Sequence, residues 1–131
     1  MQKTAYLIKL SAFYYAITGL VCLFFPEEIL LKIHSNTEEE LILFSQLFGA
    51  AILSFAYLNW FFRNSLIGGI YGRPISITNL TFNLITGLIL LNFSFRNQEL
   101  LCIIPMVIHL LLAVFFGLIS RKTPEKVRKN D

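Results

Sequence analysis

Four apolar stretches of about 20 residues run through this chain, and they constrain its fold more than any other feature. They cover residues 5–25, 41–62, 75–95 and 100–120. A hydrocarbon core about 30 Å thick is crossed by about 20 residues of α-helix, and a helix leaves no backbone N–H or C=O group unpaired in lipid. The sequence therefore predicts an all-α, membrane-embedded, up-down four-helix bundle.

The composition favours lipid rather than water as the solvent of this chain. Of its 131 residues, 56% are hydrophobic and 15% are charged, whereas a soluble domain is about one quarter charged. A soluble fold with so few charges would expose large apolar patches, which soluble monomers rarely do. At this length we predict a single transmembrane domain, 1–131, that ends in a basic cytoplasmic tail at 121–131.

Residues that begin or end helices lie at the edges of the apolar stretches. Pro26 ends the first stretch. Thr37 and Glu40 form the pattern of a capping box that opens the second, with Thr37 as the N-cap. The segment 72–74 leads into the third, and Pro105 falls in the first turns of the fourth, where a missing N–H is best tolerated. These residues fix the predicted helix boundaries.

The segment 26–36 between the first two stretches has an amphipathic pattern, with apolar residues interleaved among charged ones. A short helix lying in the membrane interface fits this pattern, because proline is well placed in a first helical turn. The alternative is that the segment merely extends the first helix. We favour a separate interfacial helix.

Basic residues are distributed unequally between the two sides of the predicted spans. Nine lie on the side that holds both termini: Lys3, Lys9, Arg63, Arg73, Arg121, Lys122, Lys126, Arg128 and Lys129. Only Lys32 and Arg96 lie on the other side. Since an excess of Lys and Arg marks the cytoplasmic side, we predict a multi-pass protein with both termini in the cytoplasm.

The membrane that fits these features is a bacterial inner membrane. Helical spans exclude a typical outer-membrane barrel, and the Ile-, Leu-, Asn- and Lys-rich usage is typical of an AT-rich bacterial genome. A basic segment directly after an apolar helix favours anionic lipid headgroups as partners over nucleic acid. The predicted headgroup contacts are Lys9, Arg63, Arg73, Arg121 and Lys122.

Small and polar residues recur along one face of each stretch. The four faces comprise Ser11, Tyr15, Thr18 and Cys22; Ser45, Gly49, Ala56, Asn59 and Arg63; Ser76, Asn79, Asn83 and Thr86; and Cys102, Met106, His109, Ala113 and Ser120. Membrane helices pack through such faces, so internal packing is the interpretation we favour. The alternative is a ligand pocket or partner groove, whose candidate residues are His109, Asn79, Asn83, Thr86 and Tyr15.

One tetrapeptide occurs twice: 17–20 and 85–88 both read Ile-Thr-Gly-Leu. The two copies lie in spans predicted to cross the membrane in the same direction. Duplication of a two-helix unit is one explanation. Chance recurrence in Leu- and Phe-rich helices is the other, and we favour it.

His109 is the one ionisable residue near the middle of a predicted span. An ionisable residue inside the membrane is a functional hypothesis by default; it relays protons, ligates a metal or haem, or bonds a lipophilic headgroup. The structural interpretation, which we favour, is a histidine hydrogen-bonded to an Asn or Thr of the third helix. No Asp or Glu lies within any stretch, which disfavours ion-coupled transport.

No motif of a catalytic triad, zinc protease or phosphate-binding loop is present. The sequence therefore predicts no catalytic residue, no metal site and no cofactor. We expect a non-catalytic accessory or scaffold protein that contacts membrane lipids and either a membrane protein or a second copy of itself. The alternative is a binder of a lipid, quinone or other lipophilic molecule between helices near His109. Nucleic acid is not an expected partner.

In layout the chain resembles the small four-helix bacterial membrane proteins grouped as DoxX-like. The residues that carry the resemblance are 19–26 at the end of the first helix, the Gln-Leu-Phe-Gly-Ala stretch at 46–50, and Arg73-Pro74 before the third helix. The resemblance implies a membrane partner of an oxidoreductase system. It carries over no cofactor-binding residue.

Overall fold

The computed structural model is all-α in the parts it describes, residues 2–33, 38–64, 72–97 and 100–121, which confirms the predicted fold class. The helices are α1 (Gln2–Phe24), α2 (Pro26–Ile33), α3 (Glu39–Phe62), α4 (Gly72–Asn97) and α5 (Ile103–Ser120), with a 3₁₀ turn, Leu100–Cys102, directly before α5. Four segments are long and apolar enough to cross a membrane: Thr4–Phe24, Glu39–Phe62, Gly72–Asn97 and Leu100–Ser120. The chain is a multi-pass membrane protein by this criterion.

The chain divides into two compact units, Met1–Asn64 and Ser65–Asp131. Unit 1 contains α1, α2 and α3; unit 2 contains α4, the 3₁₀ turn and α5. Each unit is therefore a pair of long helices joined by a short helical connection. The assignment of 1–131 to a single domain stays a prediction.

In unit 1, α1 and α3 pack in antiparallel directions. Asn59, near the end of α3, bonds to Ser11 in the first half of α1. Gly19 and Gly49 meet farther along the pair. A Cβ on Gly19 would lie 2.8 Å from the Gly49 carbonyl oxygen, and a Cβ on Gly49 would lie 2.8 Å from the Gly19 carbonyl oxygen. Such a close approach of backbones is typical of small residues between membrane helices.

The break between α1 and α2 is caused by Pro26. Proline has no N–H, so the Cys22 carbonyl one turn earlier loses its usual helical donor. The Ser45 hydroxyl of α3 donates to that carbonyl over 3.4 Å. Only Phe25 lies between the two helices, and the interruption is closed by a contact with α3.

The short helix α2 is a separate element, as predicted, and not an extension of α1. Pro26 is its first residue and is buried. Ile29 and Leu30 are half-buried, while Glu27, Glu28 and Lys32 are exposed. Leu31 and Ile33 are exposed as well, so the apolar residues of the amphipathic pattern are only partly buried.

The capping box predicted for α3 is wrong. The N-cap is Glu38, with extended backbone angles φ −86° and ψ 144° and no side-chain capping bond; Thr37 lies outside the described residues. The Glu38 carbonyl accepts hydrogen bonds from the backbone N–H groups of Leu41 and Ile42, at 3.0 and 3.2 Å. Acidic side chains in the first turn interact favourably with the helix dipole, so the helix starts within the acidic run.

The boundaries of α4 and α5 differ from the prediction for reasons that involve proline. The segment 72–74, expected to precede the third helix, forms the first turn of α4, because a proline there removes no hydrogen bond. The fourth span begins as a 3₁₀ turn. Pro105 is in the first turn of α5, as predicted, and lacks the N–H that would extend α-helical bonding back to residue 101.

In unit 2, α4 and α5 also run antiparallel. Asn83 of α4 contacts His109 of α5, and a Cβ on Gly87 would lie 2.7 Å from the Leu110 side chain. Toward the other end of the pair, a Cβ on Gly117 would make ordinary contact with Leu80 at 3.5 Å. Of these two glycine contacts, the one at Gly87 is the tighter, and it lies one turn from Asn83.

Four buried positions of α1 correspond to buried positions of α4 at a spacing of 68 residues, whereas buried Ala12 corresponds to half-buried Leu80. Ile8, Ser11, Tyr15 and Gly19 are buried in α1, and Ser76, Asn79, Asn83 and Gly87 are buried in α4. The correspondence supports duplication for these two helices. It does not extend to α3 and α5, because exposed Phe48 then corresponds to buried Phe116.

Candidate functional site

The polar residues of α4 form a ladder of hydrogen bonds along the helix. Ser76 donates to the Gly72 carbonyl over 2.9 Å, Asn79 to that of Ile75 over 2.9 Å, and Asn83 to that of Asn79 over 2.7 Å. Each donor thus reaches the carbonyl one turn earlier. Since the amide nitrogens are directed along α4, the side-chain oxygens of the two asparagines are directed away from this ladder.

Asn83 and His109 form the central contact of unit 2. The His109 Nδ1 atom lies 2.8 Å from Asn83 Oδ1, and both residues are buried. Because Asn83 Nδ2 donates to the Asn79 carbonyl, the atom that faces the histidine is an oxygen, which only accepts. The Nδ1 atom therefore carries a proton and donates it. This is the bond to an Asn or Thr of the third helix that the structural interpretation of His109 predicts.

An aromatic contact and a close approach of the two helices accompany the bond between Asn83 and His109. Phe82 contacts it edge-to-face, with ring centroids 5.8 Å apart and an interplanar angle of 77°. Gly87 follows Asn83 by one turn, and it has no side chain to separate α4 from Leu110 of α5. The small residue lets the helices approach closely enough for the hydrogen bond to form.

The structure places the five predicted ligand- or partner-binding residues in both units. Asn79, Asn83 and His109 are buried in unit 2, and Thr86 is half-buried there. Tyr15 is fully buried in unit 1, where its ring lies 6.2 Å from that of Phe55. Among these side chains, Asn83 and His109 are joined by a hydrogen bond. A ligand or partner role for the five stays a prediction.

Unit 1 contains its own hydrogen bond between helices. Asn59 Nδ2 donates to Ser11 Oγ over 3.0 Å, and the Ser11 hydroxyl donates onward to the Ile8 carbonyl over 2.8 Å. Asn59 and Ser11 are both completely buried. The sequence marked both residues as members of packing faces, but it did not pair them.

Several residues of the helix contacts were missing from the predicted faces, among them Gly19, Gly87 and Phe116. Gly19 makes the closest approach between α1 and α3, and Phe116 is almost completely buried in α5. The signal for Gly19 was its spacing of four residues from Tyr15 and eight from Ser11. Phe116 follows His109 by seven residues, which places it on the same helix face.

The predicted headgroup contacts lie at helix ends or within the first turns. Lys9 is half-buried and lies over the ring of Tyr6, with Nζ 5.5 Å from the centroid. Arg63 follows α3 as its C-cap, Arg73 is exposed in the first turn of α4 and Arg121 is the C-cap of α5. Lys122 lies outside the described residues. Contact of these residues with lipid stays a prediction.

The buried polar groups of the described residues are satisfied. None of their buried side-chain nitrogen or oxygen atoms lacks a hydrogen-bond partner. In the same segments, no group of three or more His, Cys, Asp or Glu side chains is arranged to hold a metal ion. Comparison with family models, curated proteins and solved structures finds no match to this chain.

Proposed function

We propose that this protein is a non-catalytic accessory or scaffold subunit of a bacterial inner membrane, acting through packing of its outward helix faces. The observation that carries the proposal is the bonding of the polar faces. Ser11 bonds to Asn59 in unit 1, and Asn83 bonds to His109 in unit 2. These side chains hold helices together, which is the ordinary use of polar residues in membrane bundles.

The positions of the carboxylates support a role without catalysis. Every Glu in the described residues lies in α2 or within the N-cap and first turn of α3: Glu27, Glu28, Glu38, Glu39 and Glu40. Coupled transport and acid–base chemistry inside a membrane ordinarily use a carboxylate within a span. In the described spans, the only carboxylates are those of Glu39 and Glu40 in the first turn of α3.

The outward face of α3 supports contact with another protein. Ala50 and Ser54 lie one turn apart and are exposed, whereas Gly49 and Ala56 are buried against the rest of unit 1. Small residues on an outward face allow a second helix to approach closely. The DoxX-like layout adds a membrane oxidoreductase to the proposed partners, and a second copy of this chain is the other.

The test is the assembly state of the full chain in native lipid. Extraction from the membrane with a disc-forming polymer is expected to give particles that contain a stoichiometric membrane partner or a second copy. Ala50→Phe fills the small outward face of α3, and it is expected to lower the assembled fraction about tenfold, equivalent to about 1.4 kcal/mol of contact energy. Ile89→Phe, on the exposed side of α4, is the matched control and should leave assembly unchanged. A lone monomer in the wild-type particles contradicts the proposal.

The proposed orientation places both termini in the cytoplasm. The antiparallel pairs support it, because each brings two basic residues to the same end: Lys9 and Arg63 in unit 1, and Arg73 and Arg121 in unit 2. The excess of Lys and Arg marks the cytoplasmic side.

Cysteine labelling tests this orientation in intact cells. Both native cysteines, Cys22 and Cys102, are first replaced by alanine. An impermeant maleimide is then expected to label a cysteine introduced by Glu28→Cys, and to label Asn64→Cys only after the membrane is opened. Both positions are exposed, so accessibility within the protein does not distinguish them. The reverse pattern would place the termini outside.

A further inference from the structure

Two cations at one end of unit 1 lie against aromatic rings. The Arg63 guanidinium carbon is 4.3 Å from the centroid of the Trp60 ring, and the Lys9 ammonium is 5.5 Å from that of Tyr6. The Nη1 atom of Arg63 also donates a hydrogen bond to the Trp60 carbonyl. These contacts hold the guanidinium in place while most of its five N–H donors remain available.

The two cations lie at a similar depth along the helix pair. The bond between Asn59 and Ser11 marks the register of α1 against α3. From that contact, Lys9 is two residues and Arg63 four residues toward the same end of the antiparallel pair. At 1.5 Å of rise per residue, these separations are about 3 and 6 Å. The cations therefore belong to one layer, less than a helical turn thick.

No carboxylate of unit 1 neutralises this layer. The sequence of α1 contains no Asp or Glu. The carboxylates of unit 1 lie in α2 and at the start of α3, at the other end of the helix pair: Glu27, Glu28, Glu38, Glu39 and Glu40. About 35 Å of helix separates Glu40 from Arg63. Two positive charges at the edge of an apolar helix pair, with no anion of their own unit near them, favour an anion from outside the unit.

We propose that the Lys9–Arg63 layer binds the phosphate group of an anionic phospholipid. Arginine recognises phosphate with paired N–H donors, and lysine adds a second charge. The exposed rings of Tyr57 and Phe61 in the last two turns of α3 provide an apolar surface beside Trp60 for an acyl chain. A free phosphate ion would gain nothing from that surface, which selects the lipid as the source of phosphate. The proposal does not depend on the scaffold function or on the orientation of the termini.

Trp60 is the only tryptophan of the chain, so its fluorescence reports on this layer. The full-length protein is reconstituted into mixed vesicles of phosphatidylglycerol and phosphatidylcholine at a fixed ratio. Bromine, which quenches tryptophan on contact, is placed on the acyl chains of one lipid or of the other. Stronger quenching by brominated phosphatidylglycerol than by brominated phosphatidylcholine at the same mole fraction is the expected result. Equal quenching by the two lipids overturns the proposal.

Charge variants connect the preference to the two cations. One basic residue at a membrane surface contributes a preference of about fivefold for anionic lipid. Lys9→Gln and Arg63→Gln are each expected to lower the preference by about this factor, and the double variant to abolish it. Lys9→Arg keeps the charge and should keep the preference, which separates charge from folding. Lys32→Gln, exposed in α2 at the opposite end of unit 1, is the matched control and should change nothing.

A last comparison distinguishes the two sources of phosphate. In vesicles of phosphatidylcholine alone, inorganic phosphate should leave the Trp60 emission unchanged. In the mixed vesicles, it should not remove the difference between the two brominated lipids. If phosphate shifts the emission and removes the difference, the layer is a site for free phosphate and the lipid assignment is wrong. Retention of the full preference in the double variant is equally contrary to it.

Discussion

Gly49→Ala is expected to lower the free energy of unfolding by about 2–3 kcal/mol, in the upper part of the range for overpacking of a well-packed contact. The new Cβ would lie 2.8 Å from the carbonyl oxygen of Gly19 and 3.0 Å from Cys22 Cβ and the Leu23 nitrogen. A backbone carbonyl has no rotamer by which to move away, so α1 and α3 must separate along the contact. Unfolding of the reconstituted protein by titration with a denaturing detergent, followed by circular dichroism, measures the change.

Two other glycines provide graded controls for this substitution. At Gly87 the new Cβ meets the Leu110 side chain at 2.7 Å, and a side chain can change rotamer, so we expect a loss of about 1 kcal/mol. At Gly117 the nearest atom is the Leu80 side chain at 3.5 Å, which is ordinary contact. There the gain in helix propensity makes Gly117→Ala neutral or stabilising by up to about 1 kcal/mol. If all three substitutions have equal effects, the close approach of α1 and α3 is not present.

Asn83→Leu is expected to cost about 1–3 kcal/mol, because it leaves the buried Nδ1–H of His109 without its acceptor. It also removes the bond from Asn83 Nδ2 to the Asn79 carbonyl. His109→Leu should have a similar cost, since Asn83 Oδ1 then loses its donor. The same detergent titration measures both variants.

The double variant separates the pair from its surroundings. The double variant contains neither the His109 donor nor the Asn83 acceptor, so neither group is left without its partner. It should therefore be more stable than the sum of the two single losses predicts. For hydrogen bonds inside membranes we expect a coupling of about 0.6–1.7 kcal/mol. Asn92→Leu is the matched control on the same helix, since Asn92 is exposed, and it should not destabilise the protein. Strict additivity would show that Asn83 and His109 are not bonded.

The helices and most of their buried residues could be predicted from the sequence. Length and hydropathy define a span through general properties of the bilayer, and polar residues at a helical spacing mark the packed face. Ser11, Asn59, Asn79, Asn83 and His109 were all placed on such faces, and the structure buries all five.

The pairing of these faces could not be predicted in the same way. Several polar residues of the other spans offer an equally good partner to Asn59, and the choice of Ser11 depends on the register of α1 against α3. That register is set by the contact of Gly19 with Gly49. The sequence placed Gly49 on a packing face but not Gly19, because a glycine adds neither polarity nor volume by which its contact could be recognised.

The start of α3 could not be predicted for a different reason. Thr37 has a stronger intrinsic preference for the N-cap position than Glu38. The prediction therefore started the helix one residue earlier in the Thr-Glu-Glu-Glu run. The observed cap, Glu38, uses only its backbone carbonyl. Competing starts within one polar run differ by little in energy, and the contacts of the following helix select one.

The pairing of α1 with α3 and of α4 with α5 has a consequence for biosynthesis. The bond between Asn59 and Ser11 joins residues 48 positions apart, and that between His109 and Asn83 joins residues 26 apart. Each bond joins two long helices that follow one another along the chain. The bond between Asn59 and Ser11 can therefore form as soon as residue 64 has left the ribosome and α3 has entered the membrane. The insertion machinery can therefore release the nascent chain as two successive hairpins, each with its principal hydrogen bond between long helices already formed.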